Sequence, residues 1–421
     1  MSDPHKPSGQ PTAKPEKPFR MAYVLLWFPL SSETFIFREI VQLEQLGLEI
    51  FVYTLYGESF RGCSAEMKNY QGPVTRLGIR SFFRTWGAFF RYLKKSPSLT
   101  FRLLRQGFFR KMRNLEALGE NLWSFFSGFL IAEQCEKNHI QLIHAPWANG
   151  PATSAWIASR LTGIPFAFTG RAGDIYPQDG LLREKSRDAH FIRTNNAANV
   201  AWLQKFCPRG EEDKVKLVYN SLTFQPHEQC ETPMRAPFHI LAVGRFVGKK
   251  GFPDLMTAMA RLRREGFPVS LTLIGDGAWK RKLFNMRHDL GLADCVSMPG
   301  FVPNDRLREI MCSHDLLVVP SVVHSNGDRD GIPNVIMEAL SQGMPVIATD
   351  VCGIGEVIRN GETGFLVPQH KPAALADAIR AMLEDRENAQ KMALAGKKLV
   401  EQMFDKNTNI PALRKLYLST Q

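Results

Sequence analysis

Two carboxylates, Asp330 and Glu338, stand on either side of the segment Gly331-Ile332-Pro333-Asn334. Pro333 suits the first position of a helix, the run Asn334 to Gln342 has helical spacing, and Gly343 followed by Pro345 supplies a stop. Asp330 is therefore expected on a loop and Glu338 on the helix behind it. The free N–H groups of a first helical turn, with the positive end of the helix dipole, suit a phosphate. Two carboxylates beside it can take hydroxyl groups. One ligand class that presents phosphates flanked by polyhydroxylated rings is the nucleotide sugar. Further upstream, Leu241-Ala242-Val243-Gly244-Arg245 reads as a strand ending in Gly-Arg, and Gly248-Lys249-Lys250-Gly251 adds a Gly-flanked lysine pair. Arg245 offers phosphate oxygens a bidentate grip and Lys250 a point charge. Together they suit the charge that develops on a departing nucleoside diphosphate.

Such groups need strand ends to deliver them. Short apolar runs alternate with helical patterns along most of the chain. Candidate strands are Met21 to Trp27, Ile50 to Leu55, Leu142 to Ala145, Phe166 to Thr169, His190 to Thr194 and Val215 to Tyr219. A second series follows at His239 to Val243, Val269 to Ile274, Cys295 to Met298, Leu316 to Val319 and Val346 to Thr349. Strands separated by helices imply parallel sheets with helices on both faces, here two doubly wound α/β domains, Rossmann-like and facing across a cleft. The 421 residues exceed one comfortable core and fit two domains. The expected organisation is a disordered tail 1–18, a first domain 19–223, a Pro-rich linker 224–237, a second domain 238–400 and a final helical segment 401–421 that crosses back to the first domain.

Composition narrows the class. The seven cysteines are scattered, odd in number and never C-x-x-C, which argues against a zinc site and reads as reduced cytoplasmic thiols. No apolar run is long enough to span a bilayer. The net charge of +12 is concentrated: between Met67 and Leu115 there are twelve Lys or Arg and no Asp or Glu. The same segment carries Phe82, Phe83, Trp86, Phe89, Phe90, Tyr92, Phe101, Phe108 and Phe109. Rings interleaved with cations suit an anionic membrane surface, so a peripheral position on the inner face of the cytoplasmic membrane is expected. No nucleic-acid motif accompanies the positive charge, and nucleic acid is not an expected partner.

Five motifs in register resemble retaining family 4 glycosyltransferases of the GT-B fold: Gly244-Arg245 with Lys250-Gly251, Ile274-Gly275-Asp276-Gly277, Pro299-Gly300-Phe301-Val302, Asp330 through Glu338-Ala339, and Gly361-Glu362-Thr363-Gly364. Near the N-terminus, Phe28-Pro29, Ser32-Glu33-Thr34-Phe35-Ile36 and Arg38-Glu39-Ile40 look like the colanic-acid and amylovoran type of exopolysaccharide transferase. The resemblance implies that Glu338 holds the nucleotide ribose, that Asp330 touches donor-sugar hydroxyls and that Arg245 and Lys250 hold the diphosphate. It further implies that Gly244, Gly275, Gly331, Ile332, Pro333, Asn334 and Val335 surround the nucleotide. His144, near the expected end of a strand in Ile143-His144-Ala145-Pro146, and Asp174 are candidates for acceptor contact. No metal or other cofactor is expected, although Asp328-Arg329-Asp330 is a literal D-x-D. Two residues depart from the family pattern: Asp330 stands where Glu is usual, and Arg171 where a His contacts the donor sugar. The implied activity is transfer of a hexose from a UDP- or GDP-sugar to a sugar hydroxyl of a glycan or lipid-linked oligosaccharide. A nucleotide-sugar epimerase and a catalytically impaired sugar-binding homologue are the alternatives.

Overall fold

The runs Leu316–Val319 and Val346–Thr349 are buried along their whole length, as are Leu142–Ala145 and Phe166–Gly170. Burial without alternation is the mark of strands covered on both faces, and a parallel sheet flanked by helices provides that cover. The computed structural model describes residues 18–60, 62–108, 115–177, 180–222 and 234–420, leaving aside the side chains at 108, 115–118, 304 and 305. The expected tail up to residue 17 and the linker residues 224–233 lie outside the described residues.

The first sheet holds seven strands: β1 (Phe19–Leu30), β2 (Leu48–Ser59), β3 (Val74–Arg76), β4 (Leu142–Ala145), β5 (Phe166–Gly170), β6 (Phe191–Thr194) and β7 (Val215–Leu217). Their order is β3-β2-β1-β4-β5-β6-β7, with every pairing parallel. The second sheet holds β8 (Phe238–Val243), β9 (Val269–Ile274), β10 (Val296–Gly300), β11 (Leu316–Val319), β12 (Val346–Thr349) and β13 (Phe365–Val367). Its order is β10-β9-β8-β11-β12-β13, again parallel throughout. The chain thus has two doubly wound domains, as the alternation of strand and helix implied. Only β3 and β13 lack a counterpart in the sequence reading. Both are three-residue edge strands, too short to show a period.

Each sheet reverses its strand order once, between β1 and β4 in the first and between β8 and β11 in the second. Crevices that accept ligands form beyond the carboxyl ends of strands at such reversals. The final helix, Lys406–Leu418, leaves the second domain and returns to the first, where Ile410, Leu413 and Tyr417 join the core around β1 and β2. Its Tyr417 hydroxyl lies 2.8 Å from that of Tyr23, which donates to Glu39 at 3.0 Å. Glu39 in turn pairs with the buried guanidinium of Arg193. Cys312 is engaged in a disulfide, which corrects the expectation that the thiols are all reduced. Spacing along the chain does not show which thiols fold together. Cys63, Cys135, Cys207, Cys295 and Cys352 are free.

The basic, aromatic segment folds into the helices Phe82–Lys95 and Pro97–Phe108. Its rings divide. Phe89 and Tyr92 are core residues and Trp86 packs 4.6 Å from Phe126, whereas Phe82, Phe83, Phe90 and Phe101 are exposed, Phe83 at 86%. Arg80, Arg84, Lys94, Arg102 and Arg105 are exposed around them. Phe109 lies outside the described residues. Among the described residues no helix is long and apolar enough to cross a membrane.

Candidate active site

The ends of β1, β4 and β5 face those of β8 and β11 across a cleft of about 1040 Å³. The domains also touch beside it. Glu356 of the second domain accepts hydrogen bonds from the Ala197 amide and the Tyr219 hydroxyl of the first, each at 2.8 Å. Arg329 stacks its guanidinium 4.0 Å from the Tyr176 ring centroid.

On the second-domain wall, β8 runs into the turn that carries Gly244 and Arg245. The turn is tied to β9: the Gly244 amide donates to Ile274 O at 3.0 Å and the Phe246 amide to Asp276 O at 2.8 Å. A Cβ at Gly275, whose φ is +150°, would lie 1.9 Å from Gly244 O, so the close approach requires glycine. Gly275 therefore supports the turn that carries Gly244 and Arg245 and is not itself among the residues lining the cleft. Phe246 is buried, and its neighbour Arg245 is left exposed in the cleft.

The following turn, Gly248–Lys250, ends at Gly251, whose φ is +63° and whose Cβ would fall 1.7 Å from Pro320 O. This contact sets the lysine pair against the segment after β11. Lys250 Nζ donates to Asp330 Oδ2 at 2.8 Å and Lys249 Nζ to Asp328 Oδ1 at 3.0 Å, with Lys249 also 3.9 Å from Asp330 Oδ1. Ser321 Oγ donates to Asp330 Oδ2 at 2.6 Å. Burial alone would raise the Asp330 pKa, but the charges of Lys250 and Lys249 and the hydrogen bonds from Lys250 and Ser321 outweigh it and hold the carboxyl below its usual range. Among the described residues no cluster of three His, Cys, Asp or Glu is placed to share a metal ion.

The helix after this loop is Asn334–Ser341. Pro333 takes the capping position with ψ 130°, one residue ahead of the expected place, because its fixed φ suits either site. Gly331, Ile332, Pro333, Asn334 and Val335 line the cleft at this helix start, and Glu338 lines it one turn further on. The helix N-terminus, Arg245 and Lys250 thus all line the second-domain wall of the cleft, where positive charge suits an anion.

The first-domain wall departs more from expectation. His144 is fully buried in β4, with Nε2 3.2 Å from Thr169 Oγ1 and its ring 5.1 Å from both Tyr23 and Tyr417. It does not reach the cleft and serves packing, contrary to the expected acceptor contact. Burial, then Arg193 and Arg171, hold its pKa well below the ordinary value, so the ring is neutral. Asp174 lines the cleft, but its carboxylate accepts the amides of Arg171, at 2.7 Å, and of Ala148. It fixes the loop beyond β4. Arg171 also lines the cleft, yet its guanidinium turns inward: Nη1 donates to Asn220 Oδ1 at 2.9 Å, Nε to Pro146 O at 3.3 Å, and Cζ sits 4.4 Å over the Phe35 ring. Burial pushes its pKa down to about 10.

Three participants were not singled out from sequence. Lys249 was treated only as the neighbour of Lys250, and Ser321 carried no signal at all. Glu33 was noted only for its resemblance motif. It lines the cleft from the turn before helix Thr34–Gln45, and burial pushes its pKa up to about 7 against a hydrogen bond from Trp147 and the pull of Arg171 and Arg245.

Residues 232–399 match the family described as glycosyl transferases group 1. Over 386 residues the chain is 26% identical to WcaL of Escherichia coli (strain K12), assigned as a colanic acid biosynthesis glycosyltransferase, covering 86% of this chain and 90% of that protein. It is 30% identical over 174 residues to the amylovoran biosynthesis glycosyltransferase AmsK of Erwinia amylovora, 41% of this chain and 43% of the relative. Among solved structures, Anabaena HepE in complex with UDP-glucose superposes with a TM-score of 0.69 at 18% identity, covering 96% of this chain and 100% of the other.

Proposed function

We propose that this chain, whose residues 232–399 match the glycosyl transferases group 1 family and whose fold is GT-B, is a glycosyltransferase that moves a hexose from a UDP- or GDP-sugar to a sugar hydroxyl with retention of configuration. One observation carries the reading. Two separate strand ends, those of β8 and β11, bring Arg245, Lys250 and the Asn334 helix start to one wall, with Glu338 a turn away. The diphosphate lies against these cations and the helix start, the ribose hydroxyls on Glu338, and the sugar toward Asp330. The acceptor oxygen forms its bond to the anomeric carbon on the face that the diphosphate leaves. The carbon–oxygen bond to phosphate breaks, and the hydroxyl proton passes to the departing phosphate oxygen. Positive charge on the leaving-group side lowers the barrier without a bound metal.

The acceptor in this reading is a lipid-linked oligosaccharide of surface-glycan synthesis. The exposed rings and cations of helices Phe82–Lys95 and Pro97–Phe108 support it, since they lie on the acceptor domain and complement an anionic bilayer. The similarity to glycosyltransferases of colanic acid and amylovoran biosynthesis supports a place in polysaccharide synthesis. Thermal-shift titration with UDP, GDP and their hexose conjugates, followed by product analysis with and without EDTA, tests the proposal. Stabilisation by one nucleotide series and EDTA-resistant turnover are expected. No stabilisation by any nucleotide would remove the donor assignment.

A further inference from the structure

The acceptor half of the cleft contains an arrangement that the donor chemistry leaves unused. Trp147 and Asn149 extend from the loop after β4, Arg171 follows β5, and Glu33 follows β1; all four line the cleft. Asn149 Oδ1 and Arg171 Nη2 are each buried without a hydrogen-bond partner among the described residues, while the Trp147 ring N–H turns to the Glu33 carboxylate. Buried polar atoms in folded proteins are nearly always paired, so two in one wall mark a place where a ligand or water completes the set. Arg171 is the clearer case: it is 5% exposed, and its other two nitrogens are already engaged inside the domain.

The set combines the Arg171 N–H donor with a carbonyl acceptor and a carboxylate, beside the rings of Trp147 and Phe35, whose centroids are 6.3 Å apart and over which the Arg171 guanidinium lies. A group able to satisfy it must donate and accept over a short span while presenting an apolar C–H surface. A pyranose does both, because each hydroxyl is at once donor and acceptor. We infer that Glu33, Trp147, Asn149 and Arg171 form the subsite for the acceptor sugar, in which the Glu33 carboxylate accepts a hydrogen bond from an acceptor hydroxyl and orients it. This inference rests on the transferase reading and gives Glu33 a positioning role. The charged groups that face Glu33 are Arg171 from β5 and Arg245 from β8, while Arg38 on the helix that follows it and Glu66 of the turn Ala65–Lys68 line the same cleft. Burial sets the carboxyl to titrate at about 7, so its hydrogen-bond accepting strength changes within the working pH range.

The test is saturation-transfer NMR with methyl glucosides, galactosides and mannosides, recorded on full-length protein with UDP or GDP bound. Wild-type protein is expected to transfer saturation to ring protons of at least one hexoside, more strongly at pH 8 than at pH 6. Glu33→Ala should reduce that signal at least fivefold while nucleotide affinity stays within twofold. Glu33→Gln, which keeps the shape, should retain the signal and lose its pH dependence. The subsite is overturned if Glu33→Ala leaves the hexoside signal intact, if nucleotide affinity falls by the same factor, or if no hexoside contacts the nucleotide-bound wild type. Failure of wild type to bind any nucleotide would remove the functional reading, and the subsite with it.

Discussion

Lys250 and Asp330, eighty residues apart in the chain, meet as a largely buried ion pair at 2.8 Å, with Lys249 3.9 Å from the second carboxylate oxygen. Removing one member strands the other charge, at a cost of about 3 kcal/mol, whereas removing both costs less. Urea unfolding of Lys250→Ala, Asp330→Ala and the double variant should therefore show a coupling above about 1 kcal/mol. Additive losses would show that the pair is not an energetic unit.

Arg245 is exposed, and its removal should leave the free protein's stability within about 0.5 kcal/mol. A charge-assisted grip on diphosphate is worth about 1.5–3 kcal/mol, so Arg245→Ala should weaken UDP or GDP binding by roughly ten- to a hundredfold. Calorimetric titration measures both species, and unchanged affinity would contradict the phosphate role.

Arg171 joins Pro146 O to Asn220 Oδ1 while lying over Phe35. A lysine has a single nitrogen and no planar face to reproduce this. Arg171→Lys is expected to cost about 2 kcal/mol in chemical unfolding despite the conserved charge. A loss below about 0.5 kcal/mol would show that the inward guanidinium contributes little.

Phe83 and Phe90 are 86% and 59% exposed, so serine at both should leave the melting temperature nearly unchanged. Binding to phosphatidylglycerol vesicles in a flotation assay should fall at least fivefold. Raising the salt to about 0.5 M should weaken wild-type binding as well, because exposed charges are screened. Equal binding to zwitterionic vesicles would contradict the charge argument.

Burial raises the carboxyl pKa of Glu33 and of Asp174 to about 7. A raised acid pKa means that the folded state holds its proton more tightly than the unfolded chain does. Its stabilising contribution is full below the unfolded value and is lost as pH rises through about 7. Wild-type stability should therefore decline between pH 5.5 and 8, with Glu33 contributing about 2 kcal/mol of the change. Glu33→Gln should flatten the profile in denaturant melts at the two pH values. Asp330, held below its usual range, has the opposite sign and loses its contribution only as pH falls toward acid.

Local pattern determined a large part of this protein. Apolar runs marked eleven of the thirteen strands among the described residues, because a strand covered on both faces leaves a continuous apolar run of its own length in the sequence. The acidic segment Asp330 to Glu338 and the strand-end Arg245 were legible for the same reason, since the groups and their loop or helix setting are neighbours in the chain. Register across the sheets and closure of the domains decided the rest. That Lys250 faces Asp330, that Gly275 props Gly244, and that His144 is enclosed by Tyr23 and Tyr417 all depend on contacts between distant segments. Glu33 is the plainest instance. Its meaning comes from Arg171, Arg245 and Trp147, which three other strand ends bring to it, and no spacing within its own motif encodes that meeting.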